Sequence, residues 1–161
     1  MIKNINHALI LAAGRGLRMK PLTNKIPKAM APFSGSTLIA ERIHDLKKII
    51  PNVHITVGYK GALLARHVIE KNVSSVFNTE GKGNAWWIYN TALKNLDEPL
   101  IVLTCDNIYD FDLKKYYNEY KIFKSPACMI IPAKYSEIYE ADKMLFNEYN
   151  RVKKISRNIE S

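Results

Sequence analysis

The sequence predicts an α/β fold: a three-layer, open and mostly parallel sheet with helices on both faces, followed by a C-terminal β-hairpin. Two patterns support this prediction. Almost wholly apolar runs at 7–13 and 100–107 are typical of strands buried on both faces of a parallel sheet. Strand-like, loop and helix-like segments also alternate along the chain, and that order predicts parallel strands joined by right-handed crossovers.

The first predicted strand, at 7–13, leads into a long loop over 14–35. Apolar residues at helical spacing then predict a helix from Thr37 onward, with Ser36 as its N-cap and Pro51 as its stop. Because this helix is amphipathic, we expect it to cover one face of the sheet.

Three further elements follow in the same order. A second strand is predicted at 54–59, a second helix at 63–71 and a shorter third strand at 73–78. The segment GKGN at 81–84 then leads into another predicted helix. The residues expected to share its apolar face are Ala85, Ile88, Ala92 and Leu96.

The last third of the chain adds strands and one helix. The run at 100–107 predicts a buried strand, and 111–120 predicts a helix that Asp112 can cap. Another strand is expected at 126–133 and a hairpin at 144–156. Since no linker or repeat interrupts the sequence, residues 1–161 are expected to form a single domain.

The composition argues for a globular protein with a small-anion site. Apolar residues make up 47% and charged residues 24% of the chain, which is ordinary globular usage. The net charge of +9 is compatible with a nucleic-acid partner. However, the basic residues are spread along the chain and form no nucleic-acid motif, so we expect no nucleic-acid partner.

The cysteines and the N-terminus point to the cytoplasm. Cys105 and Cys128 are far apart and lie in apolar segments, which fits a reducing compartment better than a disulfide scaffold. No apolar run approaches the roughly 18 residues of a membrane span, and no cleavage-site pattern follows the N-terminal run. We therefore expect a cytoplasmic protein with no membrane partner.

The stretch at 9–30 has the features of a phosphate-binding site. An apolar strand runs into a loop in which Gly14 and Gly16 lack the Cβ that would block a positive φ or the close approach of a ligand. The counter-charge for a phosphate comes from Arg15, Arg18, Lys20 and Lys28 of this loop. Gly14, Asn78 and Asp106 all lie at the carboxyl ends of predicted strands, at the sheet edge where ligands of open α/β sheets bind.

Two common phosphate motifs do not fit this loop. A dinucleotide fingerprint needs a third glycine at position 19 and an acidic residue at the end of the second strand, where this chain has Met19 and Gly58-Tyr59. A P-loop needs Gly-Lys-Ser/Thr, which does not follow. Both motifs are excluded.

The loop instead resembles the signature of the sugar-phosphate nucleotidyltransferases, which reads Leu-Ala-Gly/Ala-Gly-x-Gly-x-Arg, a hydrophobic residue, x, Pro-Leu-Thr and a later Pro-Lys. The matching positions are Leu11, Ala13, Gly14, Gly16, Arg18, Pro21, Leu22, Thr23, Pro27 and Lys28. The resemblance continues through 37–59 and the pair Asp106-Asn107. It implies a Rossmann-like, GT-A-type fold.

The resemblance also implies an activity: transfer of a nucleotidyl group from an NTP to a phosphomonoester such as a sugar 1-phosphate or phosphocholine, with release of pyrophosphate, in sugar-nucleotide biosynthesis. Arg18 would bind the triphosphate and Lys28 the α-phosphate region, since the reaction brings two anions together. Asp106 would hold Mg²⁺, the implied cofactor. Arg18, Lys28 and Asp106 are thus the implied catalytic residues.

The remaining site residues are also implied by the resemblance. The nucleotide-binding set would be Leu11, Ala12, Ala13, Gly14, Arg15, Gly16, Asn78 and Gly83. Asn78 would read the base, with Gly83 packed beneath it. Many relatives that read uracil or thymine have Gln at this point, so the shorter Asn favours CTP over UTP, as in the phosphocholine cytidylyltransferase-like branch.

Other features leave alternatives open. Asp106 could begin a turn or cap a helix, and capping or solvation is expected of Asp110 and Asp112. Trp86 and Trp87 would point about 100° apart on a helix, so one is expected in the core while the other could line the acceptor pocket.

The chain departs from the family pattern in several places. Leu17 replaces a common Ser or Thr, Cys105 replaces a common Gly, and 155–161 lacks the usual Glu-Lys-Pro, for whose lysine Arg157 could stand in. Family members continue further, with a second metal-binding aspartate and much of the acceptor site. The alternative function is therefore a nucleotide-binding module without turnover, and self-association stays open.

Overall fold

The structure is a computed structural model of the chain. It describes residues 5–83, 86–106, 112–124, 128–130, 143–149 and 151–156. The chain divides into two compact units, Met1–Tyr117 and Asn118–Ser161, and each is described by itself. That residues 1–161 act as one domain stays a prediction.

The described residues form eight strands and four α-helices. The strands are β1 (His7–Leu11), β2 (Pro32–Phe33), β3 (Ser36–Thr37), β4 (Asn52–Val57), β5 (Ser75–Asn78), β6 (Leu100–Thr104), β7 (Lys143–Phe146) and β8 (Val152–Ser156). The helices are α1 (Leu38–Lys47), α2 (Gly61–Ile69), α3 (Trp86–Asn90) and α4 (Leu113–Ile122). Short 3₁₀ turns lie at Leu17–Met19, Leu22–Asn24, Lys28–Met30 and Ala92–Asn95.

The central sheet has four parallel strands in the order β5-β4-β1-β6. The chain runs outward from β1 through β4 to β5, and then returns to form β6 on the other side of β1. This reversal creates a switch point between β1 and β6, and ligands of such sheets bind at the carboxyl ends of the strands beside it. The predicted open, parallel α/β sheet is confirmed.

Alternating side chains of β1 show why the fold has three layers. Ala8 and Ile10 are fully buried in a cluster with side chains of α1 and α2. Leu9 points the other way and packs with Trp87 of α3 and with Leu93 of the following 3₁₀ turn. Because neighbouring strand residues face opposite sides of a sheet, both faces of β1 are covered.

Helix α1 is capped by a different residue from the one predicted. The hydroxyl of Thr37 accepts a hydrogen bond from the backbone N–H of Ala40 at 3.2 Å, so Thr37 is the N-cap and the prediction of Ser36 is wrong. Ser36 instead belongs to the antiparallel pair of β2 and β3, where it pairs with Phe33. The loop prediction over 14–35 missed this small hairpin.

The predicted apolar face of the helix after 81–84 is also wrong. Helix α3 ends at Asn90, and the hydroxyl of Thr91 donates to the carbonyl of Trp87 and accepts from the N–H of Leu93, which starts a separate 3₁₀ turn. This break rotates the chain, so that Trp87 and Leu93 are buried while Ile88 is 40% exposed. Ala85 lies outside the described residues.

The second compact unit contains the predicted hairpin. β7 and β8 pair antiparallel, and the Oδ1 atom of Asn147 accepts hydrogen bonds from the N–H groups of Tyr149 and Arg151 in the turn. This confirms the hairpin prediction. Of the strand predicted at 126–133, only 128–130 are described, and they are not in a strand.

The cap of α4 is confirmed, because Asp112 Oδ1 accepts a hydrogen bond from the N–H of Lys115 at 2.9 Å. Among the helices described, none is both long enough and apolar enough to cross a membrane.

Candidate functional site

A cavity of about 160 Å³ lies at the carboxyl ends of the parallel strands, in the first compact unit. The segments after β1 and at the end of β6 form much of its wall, with Leu11, Ala13, Gly14, Thr104, Cys105 and Asp106. These segments flank the switch point of the sheet, so the cavity lies where the topology predicts a ligand site.

Gly16 controls the path of the loop and the position of Lys28. Its φ is +63°, a left-handed conformation that favours glycine. A Cβ on Gly16 would lie 2.7 Å from Cβ of Lys28, so only glycine lets the lysine stem pass this close. The loop is also tied internally: the Thr23 hydroxyl donates to the Gly16 carbonyl, and the Tyr59 hydroxyl donates to the Thr23 carbonyl, each at 3.0 Å.

Gly58 and Gly14 differ in what they require. A Cβ on Gly58 would lie 2.8 Å from the carbonyl oxygen of Ala13, where the ends of β1 and β4 come together. Gly14 has no positive φ, and a Cβ added there would meet nothing within 4 Å. A positive φ is therefore excluded as the reason for Gly14, and the space beside it is open.

Lys28 and Asp106 form an ion pair at the cavity wall. The Nζ atom of Lys28 lies 2.5 Å from Oδ2 of Asp106, and the two side chains are only 27% and 39% exposed. Burial alone would raise the pKa of Asp106, but the hydrogen bond and the charge of Lys28 hold this pKa below its ordinary value. Asp106 is therefore an ionised carboxylate, paired with the Lys28 ammonium.

Cys105, beside this pair, is not a nucleophile. Burial and the charge of Asp106 raise the pKa of the Cys105 thiol to about 11, so the thiol is neutral near pH 7. Its buried side chain belongs to the apolar cluster that α1 and α2 complete.

The structure brings six of the predicted site residues into one cavity wall. They are Leu11, Ala13, Gly14, Lys28, Gly83 and Asp106. Arg15 and Arg18 are exposed and are not among the residues that line the cavity, and the guanidinium of Arg15 lies 5.4 Å from the ring centre of Tyr59.

Two predicted nucleotide-binding residues have internal partners. The N–H of Ala12 is bonded to Thr56, at 3.1 Å from its hydroxyl and 3.2 Å from its carbonyl oxygen, so this N–H is not free for a ligand. Asn78 ends β5, and its Oδ1 accepts a hydrogen bond from the N–H of Glu80 at 3.0 Å. One acceptor position of the Asn78 amide is therefore used within the protein, and Nδ2 keeps its donors for a ligand.

Several cavity residues were not found from the sequence. Thr56 and Thr104 pair in register with Leu11 on either side of β1, so extending the strand-end argument to every strand would have identified them. Lys82 is a further lining cation, within the GKGN segment at 81–84, and its Nζ lies 5.5 Å from the ring centre of Trp86.

Trp87 combines the two roles that the sequence divided between Trp86 and Trp87, because it is buried in the core and also lines the cavity. Its indole N–H is buried with no hydrogen-bond partner among the described residues. Asn107, Asp110 and Arg157 lie outside the part of the chain that the structure describes.

Asp106 is the site's candidate metal ligand. Within the described residues, no group of three or more Asp, Glu, His or Cys side chains could hold a metal ion. A single ionised carboxylate beside a phosphate site nevertheless fits Mg²⁺, which is often held by one or two carboxylates together with substrate phosphates and water. The donor set therefore fits a metal that is shared with a nucleotide.

Comparison with known proteins identifies the family. Residues 7–139 match the family model described as nucleotidyl transferase. The chain belongs to this family. The resemblance read from the loop at 9–30 is thereby confirmed.

Among curated family relatives, the bifunctional protein GlmU of Methanococcus aeolicus is 28% identical over 113 residues, covering 70% of this chain and 27% of that protein. GlmU of Streptococcus pyogenes is 35% identical over 104 residues, covering 63% of this chain and 22% of that protein. The chain therefore spans about a quarter of the length of these relatives.

Solved structures agree with the fold. The CTP:phosphocholine cytidylyltransferase LicC of Streptococcus pneumoniae is 30% identical, with a TM-score of 0.51, and the match covers 66% of this chain and 47% of that one. The inositol-1-phosphate CTP transferase from T. maritima superposes with a TM-score of 0.67 at 21% identity, covering 99% of this chain and 67% of that one. The second likeness supports the fold alone.

Proposed function

We propose that this chain is a Mg²⁺-dependent nucleotidyltransferase domain. It transfers a nucleotidyl group from an NTP to a phosphorylated small molecule, such as a sugar 1-phosphate or phosphocholine, and releases pyrophosphate. The observation that carries the proposal is the presence of Lys28 and Asp106 at one wall of the switch-point cavity. Membership of the nucleotidyl transferase family supports the same reaction.

The chemistry explains why these side chains are needed. An oxygen of the acceptor phosphate attacks the α-phosphorus of the NTP; a new P–O bond forms, and the bond between the α-phosphorus and the pyrophosphate oxygen breaks. The attacking group, the α-phosphate and the leaving group are all anionic, so a fixed cation lowers the barrier. In this proposal Lys28, a cation of the cavity wall, contacts the α-phosphate.

The other wall residues would position the nucleotide. Gly14 and Gly83 have no side chain, and the space a Cβ would occupy at each is free of protein atoms within 4 Å, so the ligand can approach the backbone there. Asp106 would hold Mg²⁺, which supplies further charge for the phosphates when it is bound. In this proposal Arg15 and Arg18 act from the rim, on the distal phosphates.

The base preference follows from Asn78. Its Oδ1 already accepts one hydrogen bond from the N–H of Glu80, so in this proposal the Nδ2 donors make the contact with the base. Cytosine presents two adjacent acceptors, N3 and O2, whereas uracil presents an N3–H donor between two carbonyls. We therefore expect CTP to be preferred over UTP.

The proposal is tested by measuring pyrophosphate release from each of the four NTPs with a panel of sugar 1-phosphates and phosphocholine. We expect release with CTP and at least one acceptor, and slower release with UTP. An Asn78→Ala variant should lose the difference between CTP and UTP. Absence of release from every pair would contradict the proposal.

A second candidate is a nucleotide-binding module without turnover, in the cytoplasm like the proposed enzyme. The observation in its favour is that, among the described residues, no second carboxylate, imidazole or thiolate joins Asp106 in a group that could hold a metal. This candidate predicts that an NTP raises the melting temperature while no pyrophosphate is formed with any acceptor.

A further inference from the structure

We propose that Lys28 occupies the place of the metal in the nucleotide-free protein, so that a divalent cation reaches Asp106 only together with a nucleoside triphosphate. This inference rests on the proposed function, because it concerns the same two side chains. It adds an order of binding that the reaction itself does not require.

The geometry of the ion pair supports this competition. The Lys28 ammonium lies 2.5 Å from Oδ2 of Asp106, and Mg²⁺ would bind such an oxygen at about 2.0–2.1 Å. An ammonium group and a divalent cation cannot both approach one carboxylate oxygen so closely, since their charges repel over a short distance in a partly buried site. Binding of the metal at this oxygen therefore requires Lys28 to leave it.

The protein alone offers little to replace that bond. Among the residues that the structure describes, no second carboxylate, imidazole or thiolate joins Asp106 in a cluster that could hold a metal. A divalent cation entering without a nucleotide would displace Lys28 and gain, from the described residues, one carboxylate ligand. We therefore expect weak metal binding by the free protein.

A bound triphosphate changes this balance. Its oxygens give Lys28 a new anionic partner and give the metal its remaining ligands. The ion pair between Lys28 and Asp106 is then exchanged for two others, lysine with phosphate and aspartate with metal. Each charge has a partner before and after the exchange, so the metal and the nucleotide are expected to bind cooperatively.

The loop links this exchange to the phosphate-binding segment. The stem of Lys28 passes next to Gly16, with Cβ of the lysine 2.7 Å from the position of a Cβ on that glycine. Gly16 itself is tied to Thr23 by a hydrogen bond. A phosphate that contacts this loop therefore acts on the segment that positions Lys28.

The test measures binding of Mn²⁺ by the loss of its free EPR signal, without nucleotide and without turnover. We expect wild-type protein to bind Mn²⁺ weakly and Lys28→Met, which keeps the stem but removes the charge, to bind it about tenfold or more tightly. The matched control is Lys25→Met. Lys25 is exposed on the same loop and forms no ion pair with a described residue, so this control removes equal charge and should behave as wild type.

Two further variants keep the test decisive. Lys28→Arg retains the charge and should stay weak, and Lys28→Met combined with Asp106→Ala should lose the gain. Once a nonhydrolysable NTP analogue is added, wild-type protein should retain Mn²⁺ together with the analogue in equilibrium dialysis, measured against the analogue without protein because the analogue itself binds Mn²⁺. Equal affinity of wild type and Lys28→Met for Mn²⁺ without nucleotide would overturn the inference, as would an equal gain in Lys25→Met.

The outcome is separable from that of the proposed reaction. A gain in Mn²⁺ binding by Lys28→Met would support the inference even if no acceptor yielded pyrophosphate. Pyrophosphate release together with unchanged Mn²⁺ binding in Lys28→Met would overturn the inference and leave the proposed function intact.

Discussion

Replacing each of two neighbouring loop glycines by alanine should separate a structural role from a ligand-binding role. Gly16→Ala forces alanine into a φ of +63° and places its Cβ 2.7 Å from Cβ of Lys28. The left-handed conformation costs about 1–2 kcal/mol for a residue other than glycine. Relieving the overlap costs roughly 1 kcal/mol more, because the neighbouring lysine stem must shift.

The total of about 2–3 kcal/mol for Gly16→Ala corresponds to a fall in melting temperature of roughly 4–12 °C for a chain of this size. Gly14→Ala is the matched control. Gly14 has no positive φ, and an added Cβ meets no protein atom within 4 Å, so its stability should stay unchanged or rise by up to about 1 kcal/mol. Because Gly14 lines the cavity, its new methyl group should instead weaken NTP binding.

Urea unfolding and calorimetric titration with NTP distinguish the two effects. Gly16→Ala should lower the free energy of unfolding, and Gly14→Ala should lower only the affinity for NTP. Equal destabilisation by the two variants, or unchanged NTP affinity in Gly14→Ala, would refute this reasoning about the loop.

Three further predictions concern the rest of the fold. Burial lowers the pKa of both His54 and His67 below 6.5, so the unfolded chain binds protons more readily than the folded chain. The free energy of unfolding should therefore keep its full value above about pH 6.5 and fall as the pH decreases towards 5. A free energy of urea unfolding that does not depend on pH would contradict this. Thr37→Ala removes the N-cap of α1 and should cost about 1 kcal/mol in urea unfolding, whereas an unchanged midpoint would argue against the cap. Iodoacetamide near pH 7.5 should label the exposed Cys128 and spare Cys105, whose pKa is raised to about 11; peptide mapping that finds Cys105 labelled first would disprove the assignment.

The sequence predicted what depends on local pattern. The apolar run at 7–13 identified β1, and the strand order placed Gly14 and Asp106 at the ligand-binding edge of the sheet. These features follow from burial on both faces and from parallel connection, which short segments encode. The glycine-rich basic loop likewise carried enough matched positions to indicate the family.

What the sequence did not predict depends on contacts between distant or competing groups. The predicted apolar face of α3 was wrong because the Thr91 hydroxyl forms hydrogen bonds that end the helix. Helical spacing alone does not show that a side-chain hydroxyl competes with the helix for backbone hydrogen bonds. The hydrogen bond from the Ala12 N–H to the Thr56 hydroxyl joins residues 44 positions apart. The bond between Lys28 and Asp106 spans 78 positions, and it appears only once β1 and β6 lie side by side.

The most direct test of nucleotidyl transfer at this cavity compares pyrophosphate release by Asp106→Ala and Asp112→Ala. Asp112 caps α4 and does not line the cavity, so its variant controls for the loss of one carboxylate. With CTP and an active acceptor, we predict a loss of about 10²–10³-fold for Asp106→Ala and an unchanged rate for Asp112→Ala. An undiminished rate in Asp106→Ala would contradict the account.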